Sequence, residues 1–120
     1  MAQHNETGEQ GEELAAQYLA DAGYKILERN WHFGKNEIDL IAQDGEFIVF
    51  AEVKTRRTAN FGEPEVFVTR AKQRAIIKAA NGYFMIKDVQ LEARFDIISV
   101  LYHGASYTVK QIKNAFYPTL

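Results

Sequence analysis

Glu52 and Lys54 stand two residues apart at the end of an apolar segment that reads FIVFAEVK from Phe47 onward. Side chains alternate between the two faces of a β-strand, so both charged residues share a face with Ile48 and Phe50. A carboxylate and an ammonium on a face that begins apolar need polar partners there. The pattern fits either a strand-end ion pair or part of a metal-assisted hydrolytic site.

A second carboxylate, Asp39, lies on the strand that we predict immediately before, from Glu37 to Gln43. The Asp-Gly pair that follows predicts a two-residue hairpin turn. A turn at Asp44-Gly45 would place Glu37 opposite Glu52, whereas a turn at Gly45-Glu46 would place Asp39 opposite Glu52. Both turns put Asp39 on the face that carries the glutamate and the lysine, and a three-residue loop would separate them.

Carboxylates crowded on one face repel each other and lose hydration, and a divalent cation removes both penalties. Oxygen ligands without cysteine or histidine favour magnesium or manganese. The spacing therefore predicts an Mg²⁺ or Mn²⁺ site at Asp39 and Glu52, with Lys54 placed to orient a water or to stabilise charge on a phosphate. The alternative stays open that Glu52 and Lys54 only form an ion pair and that Asp39 is solvated.

Two helices and five strands are expected to position these residues. Apolar periodicity and breaker residues place the helices at Gly8–Ala22, with Thr7 as N-cap, and at Thr69–Ile86. We predict strands over Tyr24–Phe33, Glu37–Gln43, Glu46–Lys54, Ala93–Tyr102 and Tyr107–Lys113, with a short turn over Asn114–Phe116. The order of elements predicts an α/β fold with a mixed central sheet, with a helix on each face or both helices on one face.

Each predicted helix carries one polar residue that these elements could bring to the site. Gln73 lies on the apolar face of the second helix, three residues before Ile76, so its amide needs a polar partner. It contacts either the Glu52–Lys54 strand end or a buried backbone group. Glu12 lies at the edge of the first helix's apolar stripe and either reaches the site or faces solvent.

Composition limits the class of protein. The chain has 120 residues, enough for one domain over 1–120, in which we expect residues 1–7 to be flexible. It has no cysteine, which excludes disulfides and thiolate metal sites. No apolar run has membrane-spanning length, and the N-terminus is too polar for a secretory signal. We therefore expect a cytoplasmic protein without a membrane partner.

Charge is unevenly distributed although the net charge is only −2. From Lys54 to Lys78 there are seven basic residues against two acidic ones, Glu63 and Glu65. Such a segment can attract a polyanion, although a solvated surface would have the same composition. The candidate phosphate contacts are Arg56, Arg57, Arg70, Lys72 and Arg74.

Three ordered segments carry a family resemblance. GEELAAQYLADAGYKILERNW, NEIDLIAQDGEFIVFAEVKTR and VTRAKQRAIIKAANGYF together resemble the YraN-like family of uncharacterised bacterial proteins. That family is similar to the PD-(D/E)XK nuclease superfamily and, within it, to archaeal Holliday junction resolvases. The resemblance implies a restriction-endonuclease-like core, with a mixed central sheet flanked by helices.

The resemblance also implies roles for individual residues. Metal ligands would be Glu12, Asp39, Glu52 and the carbonyl of Val53. Lys54 would assist the attacking water, and Gln73 matches a glutamine that is frequent on the following helix of the superfamily. The implied activity is Mg²⁺- or Mn²⁺-dependent hydrolysis of DNA, at branched or damaged structures, by a homodimer. Two positions depart from the pattern without removing a ligand: Ile38 replaces a proline, and Asn36 replaces a glycine that many relatives carry.

Fold does not determine function, so two other classes of function are compatible with the sequence. One is a nucleic-acid-binding module without turnover, acting in a DNA repair or uptake complex. The other is a structural interaction domain that binds neither metal nor nucleic acid.

Overall fold

A computed structural model describes residues 2–57 and 68–118, with side chains from Gly8 onward. Glu63 and Glu65, counted above in the basic segment, lie outside the described residues. The elements in chain order are α1 (Ala2–Asp21), β1 (Lys25–Phe33), β2 (Asn36–Asp44), β3 (Phe47–Arg57), α2 (Arg70–Lys87), β4 (Glu92–His103) and β5 (Ser106–Phe116).

The five strands form one sheet in the order β1-β2-β3-β4-β5. Neighbouring strands are antiparallel except β3 and β4, which are parallel. A parallel pair needs a crossover connection, and α2 lies in the chain segment that connects these two strands. The mixed sheet agrees with the predicted fold class.

Each helix covers its own face of the sheet. Ala15, Ala16 and Leu19 of α1 pack against one set of buried strand residues: Leu40, Ala42, Val49, Ala51, Ile98 and Val100. Ile76, Ala79, Ala80 and Tyr83 of α2 pack against the other set: Ile38, Ile41, Ile48, Phe50, Phe95 and Ile97. The arrangement with both helices on one face is therefore wrong. Apolar side chains on both faces explain why β3 and β4 read as almost continuous hydrophobic segments.

The helix boundaries follow local chemistry. Thr69 caps α2, since its Oγ1 accepts a hydrogen bond of 3.2 Å from the main-chain N–H of Lys72. Gly23 ends α1 with a left-handed φ of 95°, a conformation that glycine adopts without strain. At its other end α1 begins at Ala2, upstream of the predicted start, so Thr7 lies inside the helix and the predicted N-cap is wrong.

The β2–β3 hairpin turns at Gly45-Glu46, because Asp44 pairs with Phe47. Gly45 has a φ of 58°, as the first residue of a two-residue hairpin turn often requires. Of the two registers compatible with the sequence, this is the one that directs Asp39 toward Glu52. The register with a turn at Asp44-Gly45 is wrong.

The C-terminal strand is longer than predicted. β5 continues to Phe116, so the short turn expected over Asn114–Phe116 is wrong. A bulge with Asn114 in a left-handed conformation (φ 55°) re-aligns the strand, and Phe116 then stacks on Phe95 at a centroid distance of 5.3 Å. Neither helix of the described chain is long and apolar enough to cross a membrane.

Candidate functional site

β2 and β3 separate at one end of their shared ladder. Their pairing ends at Leu40 and Ala51. Beyond that point Ile38 pairs with Trp31 of β1, and Glu52 pairs with Ile97 of β4. We call the space between the diverging strands the fork. Its walls are held by the two outer ladders, so polar groups can occupy the fork without weakening the rest of the sheet.

Asp39 lies at a kink on one side of the fork. Ile38 packs toward α2 and Leu40 packs toward α1, although residues two apart on a regular strand share a face. Opposite Asp39, Asn30 of β1 has a left-handed φ of 49°. Asp39 Oδ2 accepts a hydrogen bond of 2.8 Å from the main-chain N–H of Val53. The carboxylate thus satisfies a backbone donor at the point where the ladder ends.

Glu52 lies on the other side of the fork and is only 7% exposed. Its Oε2 is 4.0 Å from the ammonium of Lys54 and 3.9 Å from that of Lys72, at the start of α2. Its Oε1 is buried and has no hydrogen-bond partner among the described residues. Buried polar atoms are nearly always satisfied, so this oxygen is an acceptor that is available to a further partner.

The carboxyl groups in the fork disfavour ionisation. Burial, followed by the charge of Asp39, raises the pKa of Glu52 to about 7. Burial also raises the pKa of Asp39, and the hydrogen bond from Val53 opposes that increase. Such pKa values are typical of functional sites, because folding alone gives no reason to bring carboxylates together in a partly dry space.

Glu12 approaches the fork from α1. Gly11 lies so close to Thr55 of β3 that an added Cβ would overlap the threonine Oγ1. This close approach brings the next residue, Glu12, to the end of the sheet where the fork opens. Burial and then the charge of Asp39 raise the pKa of Glu12, while a hydrogen bond with Asn30 lowers it. The structure therefore places the Glu12 and Asp39 carboxylates in the same electrostatic environment.

The fork offers oxygen donors of the kind that hard cations prefer. No three His, Cys, Asp or Glu side chains of residues 8–57 and 68–118 meet as a metal-binding group. Asp39 and Glu52 nevertheless supply two carboxylates with raised pKa values, one of them with an unsatisfied oxygen. These donors fit a divalent cation such as Mg²⁺ or Mn²⁺.

Gln73 makes a backbone contact. Its Nε2 donates a hydrogen bond of 2.9 Å to the carbonyl oxygen of Val68, which precedes the N-cap of α2. Lys72, not Gln73, is the residue of this helix that the structure brings to Glu52. Charge distribution along the chain indicates Lys72 only as one of five basic candidates, and its proximity to Glu52 depends on how α2 docks on the sheet.

The other basic candidates lie on two surfaces. Arg56 and Arg57 are exposed at the end of β3, beyond Lys54. Arg70 and Arg74 are exposed on α2 and line a groove of about 490 Å³. Arg57 lines a different pocket from Arg70 and Arg74, so these three candidates belong to two surfaces.

A second buried charged cluster was not predicted. The Arg94 guanidinium donates hydrogen bonds to Asp96 (2.8 and 3.0 Å), to Asp44 (2.9 Å) and to the Tyr24 hydroxyl (2.6 Å). Asp96 also accepts from Gln111 at 2.9 Å and from the Asn114 N–H at 3.0 Å. Both Asp96 oxygens are satisfied, in contrast to Oε1 of Glu52, so this cluster fixes the β5 bulge and the hairpin end. The only sequence signal was two opposite charges two residues apart in an apolar strand.

A five-stranded mixed sheet between two helices, with carboxylates where two strands separate, defines an α/β protein compatible with a restriction-endonuclease-like core. Residues 11–100 match the family model described as Uncharacterised protein family UPF0102, and the chain belongs to this family. This confirms the resemblance to the YraN-like proteins.

The chain is similar along its length to bacterial members of the same family. It is 46% identical over 120 residues to a UPF0102 protein of Phocaeicola vulgatus, covering 100% of this chain and 99% of the relative. It is 48% identical over 118 residues to one of Chlorobium chlorochromatii, covering 93% and 92%. It is 47% identical over 119 residues to one of Geobacter metallireducens, covering 97% of each chain.

Proposed function

We propose that this protein is a metal-dependent endonuclease that hydrolyses DNA phosphodiesters, at branched or damaged structures, with Mg²⁺ or Mn²⁺. The observation that carries the proposal is the fork. Asp39 and Glu52 lie together with raised pKa values, one Glu52 oxygen has no hydrogen-bond partner among the described residues, and two ammonium groups lie about 4 Å from the other oxygen.

In this proposal the residues of the fork have separate roles in binding the cation, orienting the water and facing the phosphate. Asp39 and Glu52 would hold the cation together with the Val53 carbonyl, and Glu12 would add negative charge beside Asp39. The bound cation would supply Lewis acidity and lower the pKa of water. Lys54 would orient the attacking water through its ammonium, and Lys72 would face the negative charge of the phosphate.

The test compares wild type with Asp39→Asn and Lys54→Ala on supercoiled plasmid, single-stranded DNA and a four-way junction. Each substrate is incubated with Mg²⁺, with Mn²⁺ or with chelator. Lys110→Ala, an exposed lysine of β5, controls for loss of surface charge. We expect cleavage by wild type and Lys110→Ala only with metal, and loss of cleavage in both site variants. Equal background from all four proteins would defeat the proposal.

The alternative function is nucleic-acid binding without turnover, in a repair or uptake complex. Two observations favour it: no three-residue metal-binding group is found in the described part of the chain, and Glu52 already has two cationic neighbours. Salt-dependent binding of DNA that is unaffected by chelator, without cleavage, would support this function.

The finer parts of the proposal concern assembly and location. The resolvase-like resemblance implies a homodimer, and the composition of the chain, which has no cysteine, is the basis for proposing a cytoplasmic location. Light scattering during size-exclusion chromatography measures the assembly directly, and a monomer at all concentrations would remove the dimer from the proposal.

A further inference from the structure

A groove runs along one face of α2, between the helix and the chain that leaves β5. The helix supplies Arg70, Gln73, Arg74, Ile77, Lys78 and Asn81, and the other wall is Tyr117 and Pro118. The helical residues are spaced three or four apart, so they form one continuous surface. The groove has a volume of about 490 Å³, within the range of small-molecule sites.

The groove is cationic. Arg70, Arg74 and Lys78 are exposed, and they form no ion pair with a carboxylate elsewhere in residues 8–57 and 68–118. The described residues that line the groove include no aspartate or glutamate. Three cations around one concave surface attract an anion, and guanidinium groups bind phosphate with two parallel hydrogen bonds.

An aromatic ring is available beside these cations. Tyr117 is 64% exposed, although its neighbour Phe116 is buried and stacked on Phe95. The buried phenylalanine thus anchors the chain and leaves the tyrosine at the groove. Ile77 gives the groove an apolar element, and Asn81 adds an exposed amide. An aromatic face beside positive charge is how proteins bind the bases and phosphates of single strands.

The groove and the fork lie on different sides of the first turns of α2. Arg70 and Arg74 are one helical turn apart, whereas Lys72 lies two residues from each and therefore faces nearly the opposite way. Lys72 reaches Glu52 in the fork. Both surfaces include residues of the first turns of α2, so a strand would have to pass over this end of the helix to contact the groove and the fork together.

We propose that the groove binds one nucleotide unit of single-stranded DNA, with its phosphate on Arg70, Arg74 and Lys78 and its base stacked on Tyr117. The identification of the polymer as DNA rests on the proposed function. The groove would hold an unpaired strand next to the cleavage site, which gives a structure-specific enzyme a means to select DNA with a single-stranded segment.

The test is fluorescence anisotropy of a labelled oligothymidylate in chelator, so that binding is measured without cleavage. Wild type is compared with Tyr117→Ala, Tyr117→Phe and Arg74→Ala. Tyr107→Ala is the matched control, since Tyr107 is a half-exposed tyrosine of β5. We expect Tyr117→Ala to weaken binding about tenfold, while Tyr117→Phe and Tyr107→Ala bind as wild type does. Arg74→Ala should weaken binding and reduce its salt dependence.

Three competitors identify what the groove recognises. Free thymidine monophosphate should displace the oligonucleotide only weakly if the strand is the ligand, and strong displacement would show a free-nucleotide site instead. Polyphosphate, which has no bases, should displace the probe from wild type and from Tyr117→Ala alike. If an acidic peptide competes as well as oligothymidylate, or if Tyr117→Ala binds as wild type does, the proposal is overturned.

This inference and the proposed function can fail separately. If binding depends on Tyr117 but the protein never cleaves DNA, the groove proposal is supported and the proposed nuclease activity is overturned. If the protein cleaves DNA with metal and Tyr117→Ala leaves the KM for single-stranded substrate unchanged, the nuclease proposal is supported and the groove proposal is overturned. Thermal melting of each variant shows that it is folded, as expected for exposed positions.

Discussion

Asp39 Oδ2 accepts the main-chain N–H of Val53 at 2.8 Å, across the point where β2 and β3 stop pairing. The acceptor is thus a side chain where a regular antiparallel ladder would use a backbone carbonyl. The same contact fixes the orientation of the carboxylate and the position of the residue after Glu52. In the proposed site, a carboxylate held in this way would be pre-organised.

This contact separates the structural role of Asp39 from its chemical role. Asp39→Asn keeps a side-chain oxygen for the Val53 N–H but removes the negative charge, so it should fold as wild type does and lose cleavage by about 100-fold or more. Asp39→Ala should lose cleavage and also about 1–3 kcal/mol of stability, because the amide loses its acceptor. Cleavage assays and urea denaturation of both variants measure the difference. Equal stability of Asn and Ala variants would contradict the structural role.

The raised pKa of Glu52 predicts how stability depends on pH. Because its folded pKa of about 7 lies above the unfolded value, the folded state holds this proton more tightly. The stabilisation of the folded state by this tightly held proton is complete below about pH 4.5 and is lost as pH rises through about 7. Glu52→Gln should therefore be more stable than wild type at about pH 8, by on the order of 2–3 kcal/mol. The two should be nearly equal at about pH 4.5.

Urea denaturation in chelator from acid to alkaline pH measures this dependence. Glu46→Gln is the matched control, because Glu46 is exposed in the hairpin turn. Its stability should follow that of wild type across the range. A Glu52→Gln protein that is less stable than wild type at alkaline pH would show that the ion pairs with Lys54 and Lys72 outweigh the burial of the carboxylate.

Metal binding should release protons. A carboxylate must be ionised to bind a cation, so Mn²⁺ binding at about pH 6 should expel the proton from Glu52 and its affinity should increase toward about pH 8. When the free Mn²⁺ concentration is 100 times the dissociation constant, Mn²⁺ binding should stabilise the fold by about 2.7 kcal/mol. Calorimetry in two buffers of different ionisation enthalpy measures the proton release. Mn²⁺ uptake that is unchanged in Asp39→Asn would place the metal elsewhere.

The contact between Gly11 and Thr55 should control the position of Glu12. Gly11→Ala places a methyl group on the threonine hydroxyl, and such overpacking costs about 1–3 kcal/mol. It should also lower cleavage, since α1 is displaced from the fork. Adding Thr55→Ala should recover part of both losses in a double-mutant cycle. Gly8→Ala, where nothing lies within 4 Å of the new methyl, is the control and should be neutral or stabilising.

The Arg94–Asp96 cluster should contribute to stability and not to catalysis. Asp96→Asn leaves a buried guanidinium with less compensating charge, and breaking such a pair costs about 3–5 kcal/mol. The expected result is a lower melting temperature with unchanged cleavage per folded molecule at low temperature. Asp21→Asn, at the exposed end of α1, should melt as wild type does. A selective loss of turnover in Asp96→Asn would assign the cluster a role in the reaction.

Local patterns predicted most of the fold. Alternation along Phe47–Lys54, the Asp-Gly turn and the Thr69 cap each act over a few residues, and the structure contains the strand, the hairpin and the cap. The same patterns left the hairpin register open, because adjacent turn positions satisfy them equally well. The start of α1 at Ala2 and the extension of β5 to Phe116 depend on weaker local signals, and both were missed.

The candidate site was predictable in its residue types but not in its geometry. Spacing and the family resemblance indicated Asp39 and Glu52. The kink at Asp39 lies opposite Asn30 of another strand, which has a left-handed φ of 49°. The contact of Lys72 with Glu52 depends on how α2 docks. Such features arise from tertiary packing between segments far apart in the chain, which periodicity within one segment does not encode.

The fork also has an evolutionary consequence. A neutral residue at position 52 would relieve the electrostatic strain that Glu52 introduces, so mutation toward greater stability is available at this position in a single step. If the proposed activity requires Glu52 and burial of the carboxylate outweighs its ion pairs, selection for activity and selection for folding act in opposite directions at this position. Directed evolution for heat resistance alone should then remove the acid early.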